Sequence, residues 1–368
     1  MASKSRAIVL LGPRQVEMRE FPLPEIGPGE ALLRVEGCGV CGADWVPYRD
    51  GGHGPFKPPL ILGHEIVGIV DRIGPDAVRR WGVREGDRVT VEEHLPCRNC
   101  EPCRRGHFSG CLYGGSPLGA RKYAYGATSI DVGPGLWGGY SEYLFVDANA
   151  VVTPLSRSTP IELATLFIPI SNGIYLVQGV ANAAVGSSMV IQGPGQNGLG
   201  CVIGAREAEV GTVIIVGLRR DEHRLEVARH LGADHVLYAD EEDVIARVRD
   251  ITNGAMADTV INCTAGAPEA FETSLDMGSQ YGTVITLTGA GRPAANFDVD
   301  KIGRKTVKGA GGRDRKAVRS ALRLIESGYY PLEEMCTNAF PLEKTELALK
   351  TLGWEGEANP IHVSVMSN

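Results

Sequence analysis

The chain opens without a long apolar run. "MASKSRAIVLLGPRQVEMRE" carries a five-residue apolar stretch that stops at Gly12 and Pro13. That is too short for the core of a signal peptide or for a membrane span, which needs about 20 residues. A cytoplasmic location is expected. Excess positive charge is missing too: Lys and Arg number 37 against 44 Asp and Glu, the formal net charge is −7 and the pI is near 5.7. Phosphate-rich partners attract basic surfaces, so neither nucleic acid nor an anionic membrane is expected as a partner. Internal repeats and low-complexity segments are absent from the sequence. With 43% hydrophobic and 22% charged residues, the composition is that of a globular chain rather than a disordered one.

What is present is more specific. The 368 residues suffice for about two domains and a large core. Forty-eight glycines fall in short clusters, as suits tight loops and a phosphate-binding backbone. Nine cysteines in a reducing compartment stay as thiols or bind metal.

Residues 6–150 read as short β-rich runs, "AIVLL", "ALLRVEG", "EIVGIVDRIG", "GDRVTVEE" and "SEYLFVD", separated by Gly, Pro and Asp, with no helix of convincing length. The texture changes at "TPIELATLFIP", where Thr159, Pro160 and Glu162 spell a capping pattern with Pro at the first helical position. From about 186 to 290, strands ("SSMVIQG", "TVIIVGL", "ADTVINCT", "YGTVITLTG") alternate with helices such as "RDEHRLEVARHLGA", in which Leu225, Ala228 and Leu231 recur at spacing three before Gly232. Apolar strands alternating with helices predict a parallel sheet and an α/β fold. From about 295 the tail returns to mixed short elements. The expected division is a mainly β domain from 1–158 and 295–368, and a cofactor domain from 159–294.

Three motifs carry chemistry. "CRNCEPCRRGHFSGC" places Cys97, Cys100, Cys103 and Cys111 at Cys-x2-Cys-x2-Cys-x7-Cys. Four thiolates so spaced can close a tetrahedron around Zn²⁺ with no open position; an iron–sulfur cluster and four unrelated thiols are the competing readings. "QGPGQNGLG" places Gly193, Gly195 and Gly198 between a strand and a helix, where backbone N–H groups, with Gln196 and Asn197, can meet a pyrophosphate. The next strand ends at Gly217, where an NAD-binding site would show a carboxylate, and Arg219 and Arg220 follow. Arginines there can bind a 2′-phosphate, so NADP(H) is expected over NAD(H), against the alternative of solvated loop charges. Third, "CGVCGADWV" (38–46) and "LGHEIVG" bring Cys41, His64 and Glu65 as thiolate, imidazole and carboxylate, with Asp44 able to orient the imidazole. Each alone has a dull alternative: a buried thiol, a satisfied histidine, a surface acid.

"CGVCGAD", "GHE", "GDRV" (86–89), the four-cysteine loop, "GGYSEY" (138–143) and "GPGQNG" come in an order that resembles the zinc-dependent medium-chain dehydrogenase/reductase (alcohol dehydrogenase-like) family. The likeness spans essentially the whole chain. It implies a GroES-like β catalytic domain built from both ends, a Rossmann domain between, and hydride transfer to or from nicotinamide. It implies Cys41 and His64 as catalytic-zinc ligands, with Glu65 as a ligand or its exchange partner. Cys97, Cys100, Cys103 and Cys111 would hold structural zinc, and Cys38 would serve packing. Zinc would polarise an alcohol or carbonyl oxygen. A homodimer or homotetramer is implied as well. Three positions depart from the pattern: Ala43 and Val46 replace groups that relay a proton, and Ile168 stands where a further ligand is common. Trp45, Val46, Tyr48 and Ile168 are expected to make an apolar pocket for a bulky or cyclic secondary alcohol or its ketone. The alternatives are an NADP(H)-dependent reductase of a polarised C=C or C=N bond with a degenerate or absent catalytic zinc, and a non-catalytic NADP(H)-binding subunit.

Overall fold

The computed structural model describes residues 4–52, 57–114, 123–287 and 296–367. The chain forms two compact units, one of residues 1–167, 322–328 and 336–368, the other of 168–321 and 329–335.

The first unit is built on strands. A seven-stranded sheet runs Cys336–Pro341, His362–Met366, Ala31–Val40, Glu65–Ile73, Arg88–Val91, Val152–Pro154, with Tyr143–Val146 paired to the first half of Ala31–Val40. A three-stranded sheet pairs Lys4–Gly12 with Gln15–Pro22 and Leu60–Ile61. Ala31–Val40 is the organising strand: its first half pairs Tyr143–Val146, its last four residues pair His362–Met366, and Glu65–Ile73 lies along it. Val35, Cys38, Val40, Ile66, Val89, Val91 and Val363 bury their side chains in one core. Such strands, covered by apolar residues, have little choice of register, because a slip of one residue would turn every buried side chain outward. The register puts Gly39 opposite Glu65, and the strand runs straight into Cys41.

The second unit carries a six-stranded parallel sheet in the order His235–Tyr238, Thr212–Gly217, Ser188–Gln192, Ala257–Asn262, Gly278–Leu287, Thr306–Ala310. Its central strands are Val- and Ile-rich and buried, as parallel strands covered on both faces must be. Helix Gln196–Glu207 follows the central strand and packs on helix Phe167–Ile174 at glycines. A Cβ at Gly173 would strike the Gly200 carbonyl carbon, and one at Gly200 would strike the Pro169 carbonyl oxygen. Only backbones this bare approach so closely.

Residues 6–150 contain helices after all: Gly42–Asp50, Pro75–Trp81 and Glu101–Arg104. The first has Pro47 inside it and ends on Gly51 at φ +83°, so its sequence carried no helical periodicity. The helix near 160 is Ile161–Ala164; Pro160 takes the cap position and no side chain caps it. The carbonyl of Thr159 instead accepts from Arg88 Nη1 at 2.8 Å. The domain boundary expected at 294/295 lies outside the described residues. Beyond it, Thr306–Ala310 still pairs in parallel with Gly278–Leu287, so the parallel sheet claims residues that the sequence assigned to the β domain. Ile161–Ala181 is long and apolar enough to cross a membrane, and 67% of its most apolar window is buried inside the protein, which accounts for its apolarity.

Gly173→Ala is expected to destabilise the protein by about 1–3 kcal/mol through overpacking, read as a lower denaturation midpoint in urea. An unchanged midpoint would contradict the close helix approach.

Candidate active site and metal centres

The four-cysteine loop folds as its spacing suggests. Cys100 takes the N-cap position of the short helix Glu101–Arg104, Pro102 sits in its first turn, and Gly106 at φ +82° turns the chain back towards Cys111. All four sulfurs lie within 4.8 Å of one another, with Cys97 to Cys103 at 4.0 Å and Cys100 to Cys111 at 3.9 Å. A tetrahedron with zinc–sulfur bonds of about 2.3 Å has edges of about 3.8 Å, so the cage is already the right size. A disulfide would need sulfurs about 2 Å apart, and all nine cysteines are free thiols. Backbone N–H groups of Cys97 and Cys100 point at Cys111 Sγ (3.2 Å) and Cys97 Sγ (3.3 Å). Burial opposes ionisation of Cys100, yet the backbone N–H groups of Leu112 and Cys103 pull its thiol down to about 6. Burial and its thiol neighbours push Cys103 up. Such a set ionises fully only around a cation.

The second cluster joins two segments. Cys41 sits at the N-terminus of helix Gly42–Asp50, and His64 and Glu65 follow the turn at Gly63 (φ +89°). Their ligand atoms lie within 4.8 Å of one another. Asp44, wholly buried, ties them together: Oδ2 accepts from the Cys41 N–H at 2.9 Å, and Oδ1 accepts from the Gly63 N–H at 3.0 Å and faces His64 Nδ1 at 3.3 Å. With Nδ1 held there, Nε2 is the ring nitrogen left for a metal. Burial alone would lower the His64 pKa, but the Asp44 carboxylate and the Cys41 thiol raise it well above the ordinary value. Burial pushes the Cys41 thiol up, and His64 draws it part of the way back. The Glu65 carboxylate is buried as well, and it fills the space that a Cβ at Gly39 would take. Thiol, imidazole and carboxylate at these separations fit a zinc ion with an open position.

In the second unit, Gly193 adopts φ +98°, a Cβ at Gly198 would strike the Gly193 carbonyl oxygen, and nothing lies within 4 Å of where a Gly195 Cβ would be. The loop is thus tight below and open above at the start of helix Gln196–Glu207, a fit for a dinucleotide pyrophosphate. Asn197 is half-buried and Gln196 buried. Gly217 is packed: a Cβ there would come within 2.9 Å of Pro194 Cγ and 3.1 Å of Leu225 Cδ1. Arg219 and Arg220 are exposed. Arg219 pairs with Glu222 (3.1 Å) and Glu241 (3.7 Å) and lies 5.3 Å over the Tyr238 ring.

Not every expected residue joins a site. Tyr48 is wholly buried and donates to Glu346 at 2.7 Å, so it is core rather than pocket lining. The Trp45 ring packs where a Gly353 Cβ would stand, with Arg14 stacked 5.5 Å from it. Val46 is half-buried. Ile168 is 2% exposed, and its carbonyl accepts from Ser171 Oγ at 2.9 Å. Cys38 is wholly buried, with Gly63 and Gly139 packed on its sulfur. Three residues escaped the sequence reading. Gly39 makes room for Glu65. His362 lies across that gap, its Cε1 2.8 Å from a Gly39 Cβ position, with Nε2 2.9 Å from Thr165 Oγ1; burial pushes its imidazole down to about 3. Arg224, 3.6 Å from Asp221, stands one helical turn beyond Arg220. Only sheet register could have revealed Gly39 and His362; Arg224 resembled an ordinary solvated face.

The chain is similar to known dehydrogenases along its length. Residues 27–157 match the alcohol dehydrogenase GroES-like domain, and residues 198–327 match the zinc-binding dehydrogenase domain. The chain is 38% identical to a probable alcohol dehydrogenase of Mycobacterium tuberculosis, over 97% of both chains. It is 32% identical to L-threonine 3-dehydrogenase of Pyrococcus abyssi, over 92% of both. A zinc-binding dehydrogenase of Sinorhizobium meliloti, solved bound to NADP and named as putative, superposes with a TM-score of 0.82 at 25% identity, covering 100% of both chains.

Cys103→Ser should remove one metal equivalent per chain and lower the melting temperature, leaving cofactor binding intact. Elemental analysis of freshly purified protein checks the first outcome; iron in place of zinc would contradict the tetrathiolate zinc assignment.

Proposed function

The chain belongs to the zinc-dependent medium-chain dehydrogenase/reductases and is an alcohol oxidoreductase, and from that premise we propose a zinc-dependent, NADP(H)-preferring enzyme that interconverts a secondary alcohol and its ketone. The observation that carries the proposal is the gathering of Cys41, His64 and Glu65 within 4.8 Å. Zinc held there would polarise the alcohol or carbonyl oxygen, and nicotinamide would take or give the hydride. The protein's own share is to hold charge and geometry. Asp44 fixes the His64 ring and the Cys41 backbone through one carboxylate. Ala43 and Val46 carry no protic group, so proton transfer falls to Glu65, to water or to the substrate's own groups.

The secondary-alcohol class is supported by the L-threonine 3-dehydrogenase relative. The expectation of a bulky or cyclic substrate loses support, because Tyr48 is committed to Glu346 and Trp45 packs on Gly353. The NADP(H) preference is supported by Gly217, which has no room for a carboxylate, and by the exposed Arg219 and Arg220 that follow it. Arg219 would exchange its carboxylate partners for phosphate. A homodimer or homotetramer in the cytoplasm remains our expectation. Reduction of a polarised C=C or C=N bond is the second reading, favoured by the lack of a relay at Ala43; activity that survives removal of the catalytic metal would select it.

Cys41→Ser and His64→Ala should each lower turnover by at least about a hundredfold, with one zinc per chain lost and NADP(H) affinity unchanged. Asp44→Asn should cost about 10–100-fold in metal affinity or activity. Full turnover in Cys41→Ser would refute the metal-assisted reading. The double variant Arg219→Ala, Arg220→Ala should narrow the NADPH/NADH preference in kcat/KM by roughly ten- to a hundredfold. Equal efficiency with NADH in the unaltered protein would end the NADP(H) proposal.

A further inference from the structure

Behind the dinucleotide loop, two polar side chains outside the motifs, Arg313 and Asn172, lead to one within them, Asn197. Arg313, 5% exposed, follows strand Thr306–Ala310. Its Nη1 donates to Asn172 Oδ1 at 3.2 Å, and Asn172 Nδ2 donates to Asn197 Oδ1 at 3.1 Å. Asn197 stands in the first turn of helix Gln196–Glu207, inside "GPGQNG". Asn172 precedes Gly173, the residue that lets its helix touch Gly200 and Gly204 on that same helix. The glycine contact thus fixes how far Asn172 stands from Asn197.

The chemistry of the chain gives it a direction. A guanidinium has five N–H donors and no acceptor. Asn172 must therefore turn its oxygen to Arg313 and its N–H₂ to Asn197. Asn197 must then turn its oxygen to Asn172, and its own N–H₂ is the end left for any further partner. A carboxamide could otherwise flip and offer either end at little cost. The cation thus sets the sense of both amides, and what the loop receives is a donor. A donor, backed by a buried positive charge, suits an anion.

We infer that Arg313 is a positioning residue for the cofactor: through Asn172 it orients the Asn197 amide as a hydrogen-bond donor towards the pyrophosphate. The inference rests on the dinucleotide reading of the loop.

The test is fluorescence titration of NADPH and NADH into the zinc-loaded protein and its variants, with steady-state kinetics and the melting temperature of the cofactor-free protein alongside. Arg313→Met should raise the cofactor Kd and KM about tenfold, while kcat at saturating cofactor is largely kept. Arg313→Lys, which also only donates, should recover most of the affinity. Asn172→Asp should bind cofactor more weakly than Asn172→Ala, because a carboxylate accepts from both sides and turns Asn197 round. Parent-like Kd values in Arg313→Met and Asn172→Asp would overturn the inference. So would a loss in Arg313→Met that Lys does not relieve and that tracks the cofactor-free melting temperature. A parent protein that binds neither dinucleotide would overturn the functional reading, and this inference with it; a parent that binds beside variants that bind equally well overturns this inference alone.

Discussion

Asp44 is a carboxylate sealed from water that accepts from two backbone N–H groups, of Cys41 and Gly63, and faces the ring of His64. Burying an ion is costly unless it is paired and hydrogen-bonded, so the bonds of Asp44 hold as a set. One of them belongs to the start of a helix and two to the turn before a strand. Satisfying this one group therefore locks the two segments that carry Cys41, His64 and Glu65. Moving either segment would strand the carboxylate. The helix itself, nine residues with Pro47 within it, has little intrinsic reason to form; its place is set by what its first turn must satisfy.

Around this constraint the β unit supplies room by leaving atoms out. The register that sets Gly39 against Glu65 lets the carboxylate lie where a side chain would have been. His362 crosses from the far end of the chain to the same spot as a neutral ring. In the α/β unit, omission again does the placing: Gly173, Gly200 and Gly204 bring two helices into backbone contact, and Gly193, Gly195 and Gly198 leave a loop open at the start of helix Gln196–Glu207. Forty-eight glycines are used in part as absences of Cβ at places where something else must fit.

Much of this was legible in the sequence where the determinant is local. The four-cysteine spacing fixes a tetrahedral cage because four ligands within fifteen residues can close only a small ring. Gly-x-Gly-x-x-Gly between an apolar strand and a helix is a backbone requirement carried by neighbours. Buried, β-branched runs showed the parallel strands. The helix at 42–50 is not legible because a proline and polar residues hide its period, and the place of strand Thr306–Ala310 in the parallel sheet is not legible because only its neighbour in the sheet reveals it.

By itself, then, the sequence determined the fold class, the thiolate cage, the dinucleotide loop, and the identity of Cys41, His64, Glu65 and Asp44 as residues able to serve a metal. Tertiary structure alone decided that Tyr48 belongs to Glu346 and the core, that Arg219 is already paired, that Gly39 and His362 border Glu65, and that Arg313 reaches Asn197 through Asn172. The reason is range. Ligand spacing and backbone turns are set by residues close along the chain. Partners such as Tyr48 with Glu346, or Arg313 with Asn172, meet only after strands and helices far apart in sequence have been packed against one another.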